Sequence, residues 1–114
     1  MELVEFLDDN GRSPFEVWFN RINAQVAAKM TTALVRLESG HTSNIKSAGG
    51  GVYELKIDFG PGYRIYFGYD DPQTIILLAG GTKKRQHIDI GTAKKRWLDY
   101  KARKKKIFQK GGLR

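Results

Sequence analysis

The chain has no cysteine, so it carries no disulfide framework, no thiolate zinc site and no cysteine nucleophile. It has only two histidines, far apart, and acids without ligand-type spacing, which form no recognisable metal site and imply no cofactor. Long apolar runs are also missing: none approaches membrane-spanning length, and MELVEFLDDNG lacks the basic start and apolar stretch of a signal peptide. These absences fit a cytoplasmic protein with no membrane partner. The glycine run at residues 49–51 lacks the lysine and hydroxyl pattern of a phosphate loop, and there is no internal repeat.

What is present suits one folded domain. A chain of 114 residues with 40% hydrophobic content is large enough to bury a single core without metal or disulfide help. The net charge of +8 is unevenly spread. Residues 82–114 hold 13 Lys/Arg against two acids, and the rest of the chain is net negative by three. That distribution fits a polyanion meeting one face and the C-terminal end, or else a solvated lysine-rich helix.

Residues 1–7 read as a short strand that ends at the turn cluster Asp8-Asp9-Asn10-Gly11. Ser13, Pro14 and Glu16 form a helix start, and Phe15, Trp18, Phe19 and Ile22 follow at helical spacing. The pattern restarts near Asn23 with Val26, Met30, Ala33, Leu34 and Leu37 and stops at Ser39-Gly40, so an antiparallel helical hairpin is expected. Residues 41–51 are polar and glycine-rich and read as a flexible connection or the rim of a site.

VYELKID alternates strictly, with Tyr53, Leu55, Ile57 and Phe59 on one face and Glu54, Lys56 and Asp58 on the other. After Gly60-Pro61-Gly62, Tyr63, Ile65 and Phe67 alternate with Arg64 and Tyr66. A three-residue loop keeps apolar residues opposite apolar ones and pairs Asp58 with Arg64 and Lys56 with Tyr66; a one-residue slip would mix the faces. TIILLA is apolar throughout and reads as a central strand covered on both sides. From about His87, a last helix carries Ile90, Ala93, Trp97 and Tyr100 on one stripe. The expectation is an α+β domain: a mainly antiparallel four-stranded sheet, an N-terminal helical hairpin and a C-terminal helix.

The polar face of the strand pair would gather Glu54, Lys56, Asp58, Arg64 and Tyr66, with residues 83–87 nearby. Cleavage of RNA by its own 2′-hydroxyl needs a base, cations for the phosphorane and an acid for the leaving 5′-oxygen. The planar fork of Arg64 suits the phosphate. A cross-strand salt bridge to Asp58 explains the same arginine equally well. His87 is of a residue type that can act as acid or base, although a lone histidine at a helix start is commonly a surface or capping residue.

Three blocks, GVYELKIDFGPGYRIYF, TIILLAGGTKKRQHIDI and AKKRWLDYK, resemble the RelE/HigB toxin superfamily, of the phage-derived addiction-module killer type, over about residues 1–105. Residues 106–114 would then be a basic extension. The resemblance implies a RelE-like compact fold and the toxin of a type II toxin-antitoxin system. Such a toxin enters the ribosomal A site and cuts mRNA without a metal, leaving a 2′,3′-cyclic phosphate, and a cognate helix-turn-helix antitoxin neutralises it.

By that resemblance Arg64 matches the strand arginine that binds the scissile phosphate. Lys56 matches a position where relatives place a catalytic lysine or other polar group, and Lys83 or Lys84 matches that of a second catalytic cation. The acid and base stay open among Glu54, His87 and Asp89, since Asp89 stands near the position of a tyrosine in RelE. Tyr66, Lys84, Arg85, Lys94 and Lys95 are the candidates for RNA contact. Partners would be mRNA, ribosomal RNA and the antitoxin, with operator DNA reached only through the antitoxin. The competing readings are a non-catalytic RNA or ribosome binder and an interaction module for a DNA-binding partner.

Overall fold

The computed structural model describes the backbone of residues 1–112 and the side chains of residues 1–107. The elements run β1 (Glu2–Glu5), α1 (Pro14–Phe19), α2 (Ala24–Glu38), β2 (Ile45–Gly49), β3 (Val52–Ile57), β4 (Tyr63–Asp71), β5 (Thr74–Thr82), a 3-10 turn (Lys83–Arg85) and α3 (Gln86–Gly112). The α+β class is as expected. The sheet, however, has five strands in the order β1-β5-β4-β3-β2 and is mixed, because β1 runs parallel to β5.

The extra strand is β2, in the stretch read as a flexible connection. Its sequence, IKSAG, is polar and forms an edge, so burial leaves no apolar alternation to detect. The three glycines after it are not slack. Gly49, Gly50 and Gly51 hold φ of +92°, +62° and +83°, which makes a left-handed turn into β3 that residues with a Cβ rarely adopt.

Both early helices start as the sequence dictates. The Ser13 hydroxyl accepts the Glu16 N–H at 3.0 Å, and the Asn23 side chain accepts the Val26 N–H at 2.9 Å. They do not form a self-contained hairpin. Instead α1 lies against β5, while α2 buries Val26, Met30 and Leu37 on the same sheet face. The sheet supplies more apolar area than either helix could offer the other.

The β3–β4 register differs from expectation by two residues. Lys56 faces Arg64, Leu55 faces Ile65 and Glu54 faces Tyr66, so the loop spans residues 58–62 rather than three residues. Parity is preserved, because a shift of two returns each side chain to its own face. Leu55, Ile65 and Phe67 therefore join Phe15, Met30 and Leu37 in the core under α1 and α2.

The opposite face is not open to solvent, because α3 covers much of it. There Val52, Tyr66, Ile76, Leu78, Ala93 and Trp97 make a second core, and β5 is covered on both sides as its composition suggests. Trp97 can lie flat on the sheet because Gly68 has no side chain; a Cβ there would come within 2.8 Å of the indole. Farther along α3, Arg103 donates to the Leu7 carbonyl at 2.6 Å, and Lys104 pairs with Asp70. The helix passes residue 105 without a break; residues 113–114, the end of the expected extension, lie outside those described. Among the described residues, no helix is long and apolar enough to cross a membrane.

Candidate functional site

A β-bulge sets the stage. Tyr66 pairs with Ala79 but Phe67 pairs with Leu77, so Leu78 is an extra residue in β5 and side-chain alternation resets there. Beyond it Gly80 faces α1 and Gly81 faces α3. A Cβ on Gly80 would lie 2.3 Å from the Trp18 ring, and one on Gly81 would lie 1.9 Å from Asp89 Oδ2. The two glycines let a tryptophan and a carboxylate approach opposite faces of one strand.

Arg64 stands on the α3 face between Lys56 and Gly81. Its Nε donates to Glu54 Oε1 at 2.9 Å and its Nη1 to the Tyr63 carbonyl at 3.0 Å. Gln86, the first residue of α3, donates from Nε2 to both Glu54 oxygens, at 2.8 and 2.9 Å. The Arg64 and Glu54 side chains are only 6% and 2% exposed. A buried ion pair survives when further hydrogen bonds offset desolvation, and Gln86 and the Tyr63 carbonyl supply them. Arg64 Nη2 makes no hydrogen bond among the described residues.

This network corrects one expectation and bears on another. The salt-bridge partner of Arg64 is Glu54, not Asp58, because the longer loop carries Asp58 past the pairing; Asp58 instead lies 3.6 Å from Lys56 at the surface. Glu54 is also poorly placed as a base, since both its oxygens already accept hydrogen bonds. It positions the arginine.

Lys83 joins Arg64 at the end of the sheet. Its N–H donates to the Gly62 carbonyl at 3.0 Å, and a Cβ on Gly62, at φ +84°, would lie 3.3 Å from Lys83 Cβ and 3.6 Å from Arg64 Nη1. Lys56, opposite Arg64 in register, remains exposed. The structure thus brings Lys56, Arg64 and Lys83 to one end of the sheet.

Asp89 lies in the same layer. Its Oδ2 is buried against Gly81 without a hydrogen bond, and its Oδ1 is 3.8 Å from Arg85 Nε. Burial raises its pKa above the ordinary aspartate value, and Arg85 and Arg96 offset this in part. Tyr66 is fully buried with its hydroxyl unpartnered. Burial first, then the Glu54 and Asp89 charges, push its phenol above the usual range. Its ring therefore offers no face for a base to stack on. His87 is exposed on α3 and makes no hydrogen bond among the described residues.

Of the other RNA-contact candidates, Lys84, Arg85 and Lys95 are exposed. Lys94 is half-buried over the β2–β3 turn, its ammonium 3.2 Å from where a Gly49 Cβ would stand. The sequence places Gln86 near the site, among residues 83–87, but gives it no role, because that role depends on where α3 begins. Sequence reasoning missed Arg12, Arg21 and Arg96, which meet only through the fold: Arg12 and Arg21 flank α1, and Arg96 lies within α3.

Residues 17–98, from α1 to the middle of α3, match the family described as "Phage derived protein Gp49-like (DUF891)". The matched span includes Glu54, Arg64, Lys83, Gln86 and Asp89. The chain is also similar to an uncharacterized protein of Haemophilus influenzae, with 40% identity over 81 residues, covering 70% of this chain and 82% of that protein.

Proposed function

The chain belongs to the Gp49-like family of phage-derived proteins, and from that premise we propose that it is the toxin of a type II toxin-antitoxin pair, of RelE/HigB type, that cleaves mRNA in the ribosomal A site. The observation that carries this reading is Arg64, held by Glu54 and Gln86 beside Lys83 and opposite Lys56, with a carboxyl group of raised pKa in the same layer.

In this reading the 2′-hydroxyl attacks the adjacent phosphorus, the P–O5′ bond breaks, and a 2′,3′-cyclic phosphate and a 5′-hydroxyl remain. Arg64 Nη2 and Lys83 neutralise the phosphorane oxygens, and the rigid network spares the arginine reorganisation as charge develops. We assign Asp89, whose pKa is raised by burial while Glu54 is occupied, one of the two proton transfers, off the 2′-hydroxyl or onto the 5′-oxygen, with solvent water completing the other. Lys56 supplies a further cation. A helix-turn-helix antitoxin would neutralise the toxin, and the place of action would be the cytoplasm.

The end chemistry of the product tests the reaction. Messages cut on translating ribosomes should carry 2′,3′-cyclic phosphates at the new 3′ ends; 3′-hydroxyl ends would reject the mechanism. A second reading, a non-catalytic RNA binder, is favoured by the exposed cations Lys84, Arg85 and Lys95 beside Arg64. It requires that Arg64→Ala weaken RNA binding without any cleavage to lose.

A further inference from the structure

We propose that the cleft between α1 and the first half of α3 is a separate binding site for the phosphodiester backbone of single-stranded RNA, formed by Arg12, Arg21, Arg85 and Arg96. The inference rests on the reading of the protein as an RNA-acting toxin and extends it to residues outside the Arg64 network.

The cleft exists because β1 is short. It pairs with β5 only from Thr74 to Leu77, so the second half of β5 has no strand on that side and α1 lies across it instead. The resulting space, about 440 Å³, has Trp18 and Gly80 in its wall and the four arginines around it.

The charges do not cancel. Two carboxylates, Asp8 and Asp89, share the cleft with the four guanidinium groups. Asp8 is engaged locally, accepting the N–H groups of Asn10 and Arg12 at 2.9 and 3.0 Å. Asp89 faces Arg85 at 3.8 Å. Arg96 donates through Nη1 to the Leu78 carbonyl at the bulge, 2.9 Å away, which fixes it in the cleft with further N–H groups to offer. Arg12 and Arg21 are exposed, and their side chains have no partner among the described residues.

An open cleft with surplus arginines suits a chain of phosphates better than one compact anion, since each planar fork can take a separate phosphate. The half-buried Trp18 ring adds an aromatic surface of the kind on which unpaired bases stack. Asp89 borders both this cleft and the α3 face at Gly81, with Arg85 beside it, so a strand leaving Arg64 could continue along α3 into the cleft.

The test uses a short fluorescent 2′-O-methyl oligoribonucleotide, which cannot be cleaved because it lacks the attacking hydroxyl, titrated with the full chain at several salt concentrations. Arg12→Ala with Arg21→Ala should weaken binding on the order of tenfold and reduce the slope of log affinity against log salt by about 1.4, or 0.7 per lost contact. Both side chains are exposed and unpartnered, so the fold should persist. Arg36→Ala with Lys46→Ala removes the same charge on other elements and should leave the slope unchanged. The cleft is rejected if the first pair leaves the slope unaltered, or if both pairs lower it equally. Cleavage is scored separately: a lowered slope in a protein that cuts no message refutes the nuclease and keeps the cleft, whereas intact cleavage with an unaltered slope refutes the cleft alone.

Discussion

Gln86 donates to both carboxylate oxygens of Glu54, at 2.8 and 2.9 Å, and so ties the first residue of α3 to the strand that orients Arg64. The third partner of that carboxylate is Arg64 itself, and all three side chains meet where α3 closes over the sheet. Under the proposed function, stability and activity are therefore coupled at one point.

Removing Glu54 should expose that coupling. Glu54→Ala leaves the Arg64 charge buried without its counter-ion, a change that typically costs about 3 to 5 kcal/mol. Glu54→Leu combined with Arg64→Met should recover most of the loss, since neither charge then remains buried. Urea midpoints measured at equal transition slopes check this; a Glu54→Ala protein as stable as wild type would contradict it.

Gln86→Ala deletes two hydrogen bonds to a charged group and should cost about 1.5 to 3 kcal/mol. Gln86→Glu should be worse, because it sets a second carboxylate against Glu54, and its deficit should grow as pH rises through the carboxylate range. Thermal melts at acidic and neutral pH separate the two variants.

Asp89 gives a pH dependence of definite sign. Its folded pKa is raised above the ordinary 3.8 by burial, so the folded state holds its proton more tightly than the unfolded chain. This contribution favours folding at low pH and is lost as pH climbs from the unfolded value through the folded one. Asp89→Asn should gain stability relative to wild type on going from pH 3 to pH 7; a stability difference independent of pH would refute the assignment. Under the proposed mechanism cleavage should also fall in this variant, because Asp89 is its proposed proton carrier.

Gly81→Ala puts a methyl group 1.9 Å from Asp89 Oδ2, and Gly80→Ala puts one 2.3 Å from the Trp18 ring. Both should destabilise, by about 1 to 3 kcal/mol or more. Only Gly81→Ala should also remove the pH dependence attributed to Asp89, because it alone displaces that carboxylate. Stability profiles against pH for the two variants test this difference.

The fold was legible where one face is apolar and the other is not. The parity of β3 and β4, the buried run of β5 and the caps at Ser13 and Asn23 follow from spacing and local hydrogen bonding. Register was harder to read, because a five-residue and a three-residue loop give the same alternation; what distinguishes them is backbone conformation at Gly60 and Gly62, with φ of +53° and +84°. Strand β2 has no apolar stripe of its own to betray it.

Arg64 was recognisable as the notable residue of its strand, but its surroundings were not. Alternation marks Glu54, Arg64 and Tyr66 as a polar face, and polarity does not tell a solvated face from one covered by a helix. Trp97 and Ala93 bring α3 down onto that face, and Gln86 then becomes a partner for Glu54 across 32 positions of sequence. A contact of that range has no local periodicity.

In the proposed function, this end of the sheet, with Arg64 and Lys83, cuts messages on the ribosome. The decisive measurement is mapping of 5′ ends in cellular mRNA after expression of wild type, Arg64→Ala and Lys83→Ala; Lys83 is exposed, so its loss should spare the fold. New 5′ ends in register with codons are expected for the wild type, with their loss in Arg64→Ala and strong reduction in Lys83→Ala at equal protein levels. Intact messages with the wild type, or unchanged cuts with both variants, would contradict it.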